Sequence, residues 1–294
     1  MSEGNLMGSV PKKLVVVGNG FDLAHGLETK LCCFKCYLKR KDDESREFLD
    51  SISEYIPLEQ DWSNFEDALG NIDSDKIKSD AMNLSQPIDS DDFKDRSWGD
   101  PAYEAGKAVE FSSEIPSYLK EWIKSVRIEA KYKFSFPDDA LFLSFNYTPT
   151  LEKIYGIPKE KVCYIHGDCS GEDVLICGHN NTSFLREDDY SDMDFAFQAQ
   201  EVDDVLNGYY KETWKNPRRN IQKNQSFFDQ LGSVESITVI GHSFETNIDD
   251  DYFICIKEKV NPNCAWEISY FSDSDKRNNE AFAKRLGLKN YSFF

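Results

Sequence analysis

The chain carries four histidines, each touching or neighbouring a glycine: His25 in LAHGL, His166 in YIHGD, His179 in CGHNN and His242 in IGHSF. Imidazole is the side chain best suited to proton transfer near neutral pH. All four fall at or just past the end of an apolar run or its turn. They are therefore expected to converge on one edge of a sheet. Asn146 stands at a similar place, closing ALFLSFNY. A carboxamide there can orient a water or a ribose hydroxyl. Thr148, ahead of Pro149 and Glu152, reads as the cap of the next helix and leaves Asn146 for other work. The plainer reading of Asn146 is that it satisfies loop backbone.

The stretch LVVVGNGFDLAHGL joins an apolar strand to a Gly-x-Gly turn and then a helix. Gly18 and Gly20 allow a tight turn and close approach of a ligand, and a helix start offers amides to a pyrophosphate. Gly18, Asn19, Gly20, Phe21, Asp22 and His25 are thus the candidate ligand-binding residues of this turn. The third glycine of the dehydrogenase fingerprint is missing, which disfavours hydride transfer. A plain strand–helix turn with Asp22 as a cap is the alternative.

Cys163, His166 and Cys169 are spaced like metal ligands, with Cys177 and His179 beyond. Cys163 lies inside a strand, where neighbours alternate faces. Buried free thiols are expected and structural zinc is not. Asp249, in NIDDDYF, reads first as a cap for the following helix. A second reading gathers Asp22, His166, Asp168, His242 and Asp249 around a divalent metal, as in a metal-dependent hydrolase.

Strands must position these residues. Apolar runs at 12–18, 140–147, 161–167, 174–178, 236–243 and 266–271 read as strands, most ending in Gly, Asn, His or Ser. Helical spacing appears in REFLDSISEYI, YLKEWIKSV, DFAFQAQEVDDVLNGYYKETW and NNEAFAKRLGL, and LCCFKC follows a helix rhythm. Ser74 to Pro101 reads as a loop excursion. Strands alternating with helices predict an α/β fold with a Rossmann-like parallel sheet. A single domain over 1–294 is expected, with helical insertions at about 31–135 and 183–232.

The 294 residues carry a formal net charge of −19. That field repels polyanions, so nonspecific nucleic-acid binding is disfavoured. The basic run KNPRRNIQK reads as a solvated helix face. No signal pattern opens the chain and no apolar run nears the roughly 18 residues of a membrane span. A cytoplasmic setting without a membrane partner is expected, and the eight cysteines are expected to be free thiols.

GNGFDLAHGL, Trp62 with Glu66, LSFNYTPTLEKIYG, YIHGD, a following GH, and IGHSF ahead of Tyr252-Phe253 together resemble the AbiH-like family. These are bacterial proteins linked to phage abortive infection. The motifs run in order from residue 14 to residue 253. A more distant similarity is to sirtuins and sirtuin-like NAD-cleaving domains, through Gly18-Asn19-Gly20 with His25-Gly26-Leu27, Asn146, His166-Gly167 and Gly241-His242-Ser243. That resemblance implies a sirtuin-like NAD site. In it Asn146 would hold the nicotinamide ribose or a water, and His166 would be the general base. Gly241, His242 and Ser243 would lie toward the adenosine. The paired CxxC motifs of the sirtuin zinc ribbon are absent, which disfavours lysine deacylation.

The resulting expectation is an NAD- or nucleotide-processing enzyme of phage defence, a glycohydrolase with NAD as substrate or ligand. The alternatives are metal-dependent hydrolysis of a nucleotide or nucleic acid, and a nucleotide sensor without turnover. Expected partners are a small-molecule nucleotide and either a second copy of the chain or a phage-derived trigger.

Overall fold

A computed structural model describes residues 10–84, 100–172, 174–182 and 196–294. Strand β1 (Lys13–Val17) leads into the short helix α1 (Asn19–Ala24). Six helices follow: α2 (Leu31–Lys41), α3 (Asp43–Tyr55), α4 (Phe65–Leu69), α5 (Ser74–Leu84), α6 (Pro101–Val109) and α7 (Phe111–Ser125). Then come β2 (Ala140–Ser144), α8 (Thr150–Tyr155) and β3 (Val162–Tyr164). Helices α9 (Ala196–Glu212), α10 (Pro217–Lys223) and α11 (Gln225–Phe228) precede β4 (Ser236–Ile240). The chain closes with α12 (Asp250–Lys259), β5 (Ala265–Ile268), α13 (Asp273–Leu286) and β6 (Tyr291–Phe293).

The contacts group the chain into two compact units. The first holds residues 1–30, 120–175 and 216–294 and contains the whole sheet. Its six strands are all parallel, in the order β3-β2-β1-β4-β5-β6. The fold is therefore α/β, as the alternation of strands and helices predicts. Strand direction of winding reverses at β1, whose neighbours are β2 and β4. Successive β1 residues point to opposite faces, and both faces are buried, which is why LVVV is apolar throughout. Leu14 and Val16 join a core with Ile237, Val239, Tyr252, Phe253 and Phe282, so α12 and α13 cover that face. Val15 and Val17 join Phe142, Ile240, Phe21 and Leu151, so α1 and α8 lie on the other.

The second unit, residues 31–119 and 176–215, is helical. Trp62 is buried with φ +60 and stacks on Phe65 at 5.1 Å. Lys215, which opens the basic run, is buried and not a solvated face residue. Its ammonium lies 3.0 Å from the Glu66 carboxylate. Buried ammonium needs such a partner.

Three segments depart from the sequence reading. Residues 174–178 form no strand. An added Cβ on Gly178 would stand 1.7 Å from the Thr213 carbonyl, so this stretch packs directly on backbone, and His179 makes only an isolated bridge to Trp214. Residues Ser74–Leu84 are helix, not loop; 85–99 lie outside the described residues, as do 183–195 of the second helical stretch. The final strand β6 is unpredicted: three residues show too little alternation to register. Among the described residues no helix is long and apolar enough to cross a membrane.

Candidate functional site

The residues that can do chemistry gather where β1, β2, β3 and β4 end, in the first unit. In open parallel sheets ligands bind outside these carboxyl ends, at the point where strand order reverses. Here that point is filled by interlocked backbone. The Gly18 amide donates to Ile240 O at 3.0 Å, the Gly20 amide to Gly241 O at 2.7 Å, and the Phe21 amide to Gly18 O at 2.9 Å. A Cβ on Gly18 would meet His242 Cα at 2.6 Å, and one on Gly20 would meet Gly241 Cα at 2.7 Å. These glycines serve the close approach of β1 and β4. Asn19 donates through Nδ2 to Thr29 O at 3.0 Å.

Asn146 donates through Nδ2 to Gly18 O at 3.0 Å, so its amide ties the β2 exit to the turn. Thr148 does not cap α8. Pro149 holds the cap position and no side chain caps the helix. The Thr148 hydroxyl instead donates to Asp22 Oδ2 at 2.5 Å, and Thr150 donates to Thr148 at 2.9 Å. Asp22 likewise caps nothing: Gly18 holds the α1 cap position. Its carboxyl is 1% exposed, and Oδ1 has no hydrogen-bond partner.

Burial pushes the Asp22 pKa up to about 6, against the Thr148 hydrogen bond and the nearby polar groups of Thr150 and Asn146, which pull it down. A carboxyl raised from 3.8 to about 6 on folding costs the ionised native state about 3 kcal/mol. The sign is fixed by linkage. Stability is full below the unfolded pKa and falls as pH rises through about 6. Asp22→Asn removes that loss but leaves a buried N–H unpaired, at about 1–3 kcal/mol. The variant is expected to gain on the wild type by about 3 kcal/mol between about pH 4 and pH 8. Urea unfolding of both across that range checks it; parallel pH profiles would refute it.

His25 has both ring nitrogens engaged. Nδ1 donates to Phe21 O at 2.7 Å, and Nε2 bonds the Tyr155 hydroxyl at 2.6 Å. That hydroxyl also accepts from the Lys133 and Phe134 amides at 3.0 and 3.2 Å. The ring packs edge-on to Phe21 at 4.6 Å. His25 therefore ties α1 to α8 and to the chain ahead of β2.

His166 and His242 do converge, and Asp249 lies between them. His166 Nε2 is 3.8 Å from Asp249 Oδ1, and His242 Nε2 is 3.7 Å from Oδ2. These distances are too long for hydrogen bonds but close for charge attraction. Asp249 occupies the cap position of α12, yet its side chain caps nothing. The expected cap role is thus corrected: the carboxylate faces two imidazoles. Phe145 packs against both rings, at 5.5 Å from His166 and 4.5 Å from His242. Tyr252 lies 5.7 Å from His166, and Phe253 lies 5.0 Å from His242. The side chains of the two histidines are only 3% and 6% exposed, and that of Asp249 is 18%. Apolar walls strengthen the field of the carboxylate at both rings.

The remaining candidates separate. His179 belongs to the second unit, where its Nδ1 accepts from the Asn181 amide at 3.0 Å and burial lowers its pKa. Asp168 does not join a metal cluster. It accepts from the Ser170 and Gly171 amides at 2.8 and 2.9 Å and pairs with Lys159 at 3.1 Å. Burial opposes its charge, but the Ser170 and Lys159 bonds outweigh it and lower its pKa. Among the described residues no group of three or more His, Cys, Asp or Glu side chains could hold a metal ion. All eight cysteines are free, and burial pushes the Cys163 thiol up to about 12. Ser243 is exposed and accepts from the Glu245 amide at 3.4 Å. Gly241 has φ +64, and its amide donates to Ser269 Oγ at 2.8 Å.

Thr150 and Tyr155 escaped the sequence reading, which placed Asp249 beside His166 and His242 only in its metal alternative. Each acts through a contact distant in sequence. The one local hint is that Asp250 and Asp251 follow Asp249 and already supply acidic charge to the first turn of α12. No curated protein matches the chain. The profile of the family described as Bacteriophage abortive infection AbiH matches residues 14–270. With residues 14–270 of its 294 matched, the chain belongs to the bacteriophage abortive infection AbiH family.

Proposed function

We propose that this AbiH protein acts in abortive infection as a nucleotide-hydrolysing enzyme of the NAD glycohydrolase type, with His166 as general base. The observation that carries the reading is Asp249 set between His166 and His242 at the carboxyl edge of the sheet. The strand order 3-2-1-4-5-6 supports it, being that of Rossmann-like dinucleotide-binding sheets. In the reaction the C1′–N bond breaks and its electron pair neutralises the cationic nicotinamide ring. Water attacks C1′ of the oxocarbenium-like centre and gives its proton to His166, whose positive charge Asp249 stabilises. The products are nicotinamide, ADP-ribose and one proton. Asn146, tethered through Nδ2, keeps Oδ1 as acceptor for a ribose hydroxyl. The amides of Gly18, Gly20 and Phe21 are already bonded, so the turn in this conformation does not cradle the pyrophosphate.

The test is incubation of the purified protein with NAD near neutral pH, with products separated by chromatography. An Asn146→Ala, His166→Ala double variant runs beside it. Nicotinamide from the wild type alone supports the reading. Absence of release, with or without magnesium or manganese, sinks it for the resting protein. Release only with added metal moves the assignment to a metal-dependent hydrolase, and saturable binding without product moves it to a nucleotide sensor.

A further inference from the structure

A cavity of about 250 Å³ opens on the sheet face opposite α12. Its floor is polar at Lys13, Thr238 and Glu267, on three adjacent strands. Thr238 pairs in register with Glu267, and its hydroxyl donates to Glu267 Oε2 at 3.2 Å. The Lys13 ammonium is 3.8 Å from the same oxygen. The walls are rings: Phe134 and Phe136 on one side, Phe294 on the other. Phe134 stacks on Phe21 at 5.5 Å and at 28°, which holds this wall ring in place.

We propose that this cavity binds a neutral planar heterocycle of the nucleobase class, separately from the histidine edge. Ring walls take a flat apolar body. The floor sets a cationic donor beside a carboxylate acceptor, which matches the donor–acceptor edge of a base. One ammonium offset by one carboxylate gives no pull on a phosphate, and the chain's net charge of −19 opposes one. The volume lies just below the usual range of ligand pockets, which suits a single ring system and not a whole dinucleotide.

The test is calorimetric titration of the full chain with adenine, uracil and nicotinamide, and with AMP as the anionic comparison. At least one base is expected to bind at one site per chain, with AMP at least about tenfold weaker. Glu267→Gln and Lys13→Met should each weaken the base by about tenfold or more. Both side chains are partly exposed, at 50% and 27%, so the melting temperature should hold. Phe294→Ala, at a 53% exposed wall, gives a second and independent loss. Binding should persist in His166→Ala, which separates this site from the proposed hydrolysis. No binding of any base at millimolar concentration, equal binding by all three wall and floor variants, or AMP binding as tightly as the bases would overturn the proposal.

Discussion

Gly241→Ala is expected to leave no soluble folded protein. The residue sits at φ +64, where a Cβ costs about 1–2 kcal/mol. That Cβ would also stand 2.2 Å from Phe21 N and 2.3 Å from Gly20 C. Both are backbone atoms of the turn, held by the Gly20–Gly241 and Phe21–Gly18 bonds, and neither can swing aside as a side chain tip could. Separating them breaks the junction of the two central strands. A loss above about 4 kcal/mol is exceptional among single substitutions and approaches the whole stability of an ordinary domain. Gly26→Ala is the internal control. It shares the left-handed backbone, at φ +78, but has nothing within 4 Å of an added Cβ. It should lose only the conformational part, about 1–2 kcal/mol. Soluble yield and thermal melting of the two variants measure the difference. Equal melting temperatures would show that the turn yields, contrary to the interlock described.

Under the proposed hydrolysis, His166→Ala is expected to lower turnover by about 10²–10⁴-fold, the usual worth of a positioned general base. Asp249→Asn keeps the shape and removes the charge that both imidazoles face. In the proposed mechanism Asp249 acts through His166 and not on the substrate, so the variant should reduce kcat by about tenfold or more while leaving KM near the wild-type value. Since its side chain caps no helix end, the variant should melt close to the wild type. An Asp249→Asn protein with wild-type turnover would remove Asp249 from the mechanism. One with raised KM and unchanged kcat would make it a binding residue instead.

The central strands were legible because burial on both faces demands unbroken apolar runs, as in LVVV and ALFLS. The same signal misled at VLICG, which forms no strand and whose closing Gly178 lies directly against Thr213 backbone. Strand β2 stops at Ser144, short of the predicted end, because Ser144 Oγ accepts the Asn146 amide at 3.2 Å and starts the turn. The strand pattern placed His166 and His242 at the sheet edge, since both follow shortly on parallel strands. The same logic failed for His179, which has no strand before it, and for His25, which closes α1. Thr148 and Asp249 show the deeper limit. Both sit in sequence patterns that suit helix caps, yet their partners are Asp22, 126 residues away, and two histidines. Local pattern states what a side chain can do, whereas the sheet decides what it meets.

The backbone lock at Gly18, Gly20 and Gly241 has a consequence for populations. Any ligand that requires those amides meets molecules in which they are already spent. It can bind only the fraction in which the junction has parted, and its apparent affinity is its intrinsic affinity multiplied by that fraction. A turn latched from within presents none of these amides in its resting conformation. Whatever else parts β1 from β4, be it a partner or a second ligand, would raise the affinity of such a ligand without touching it.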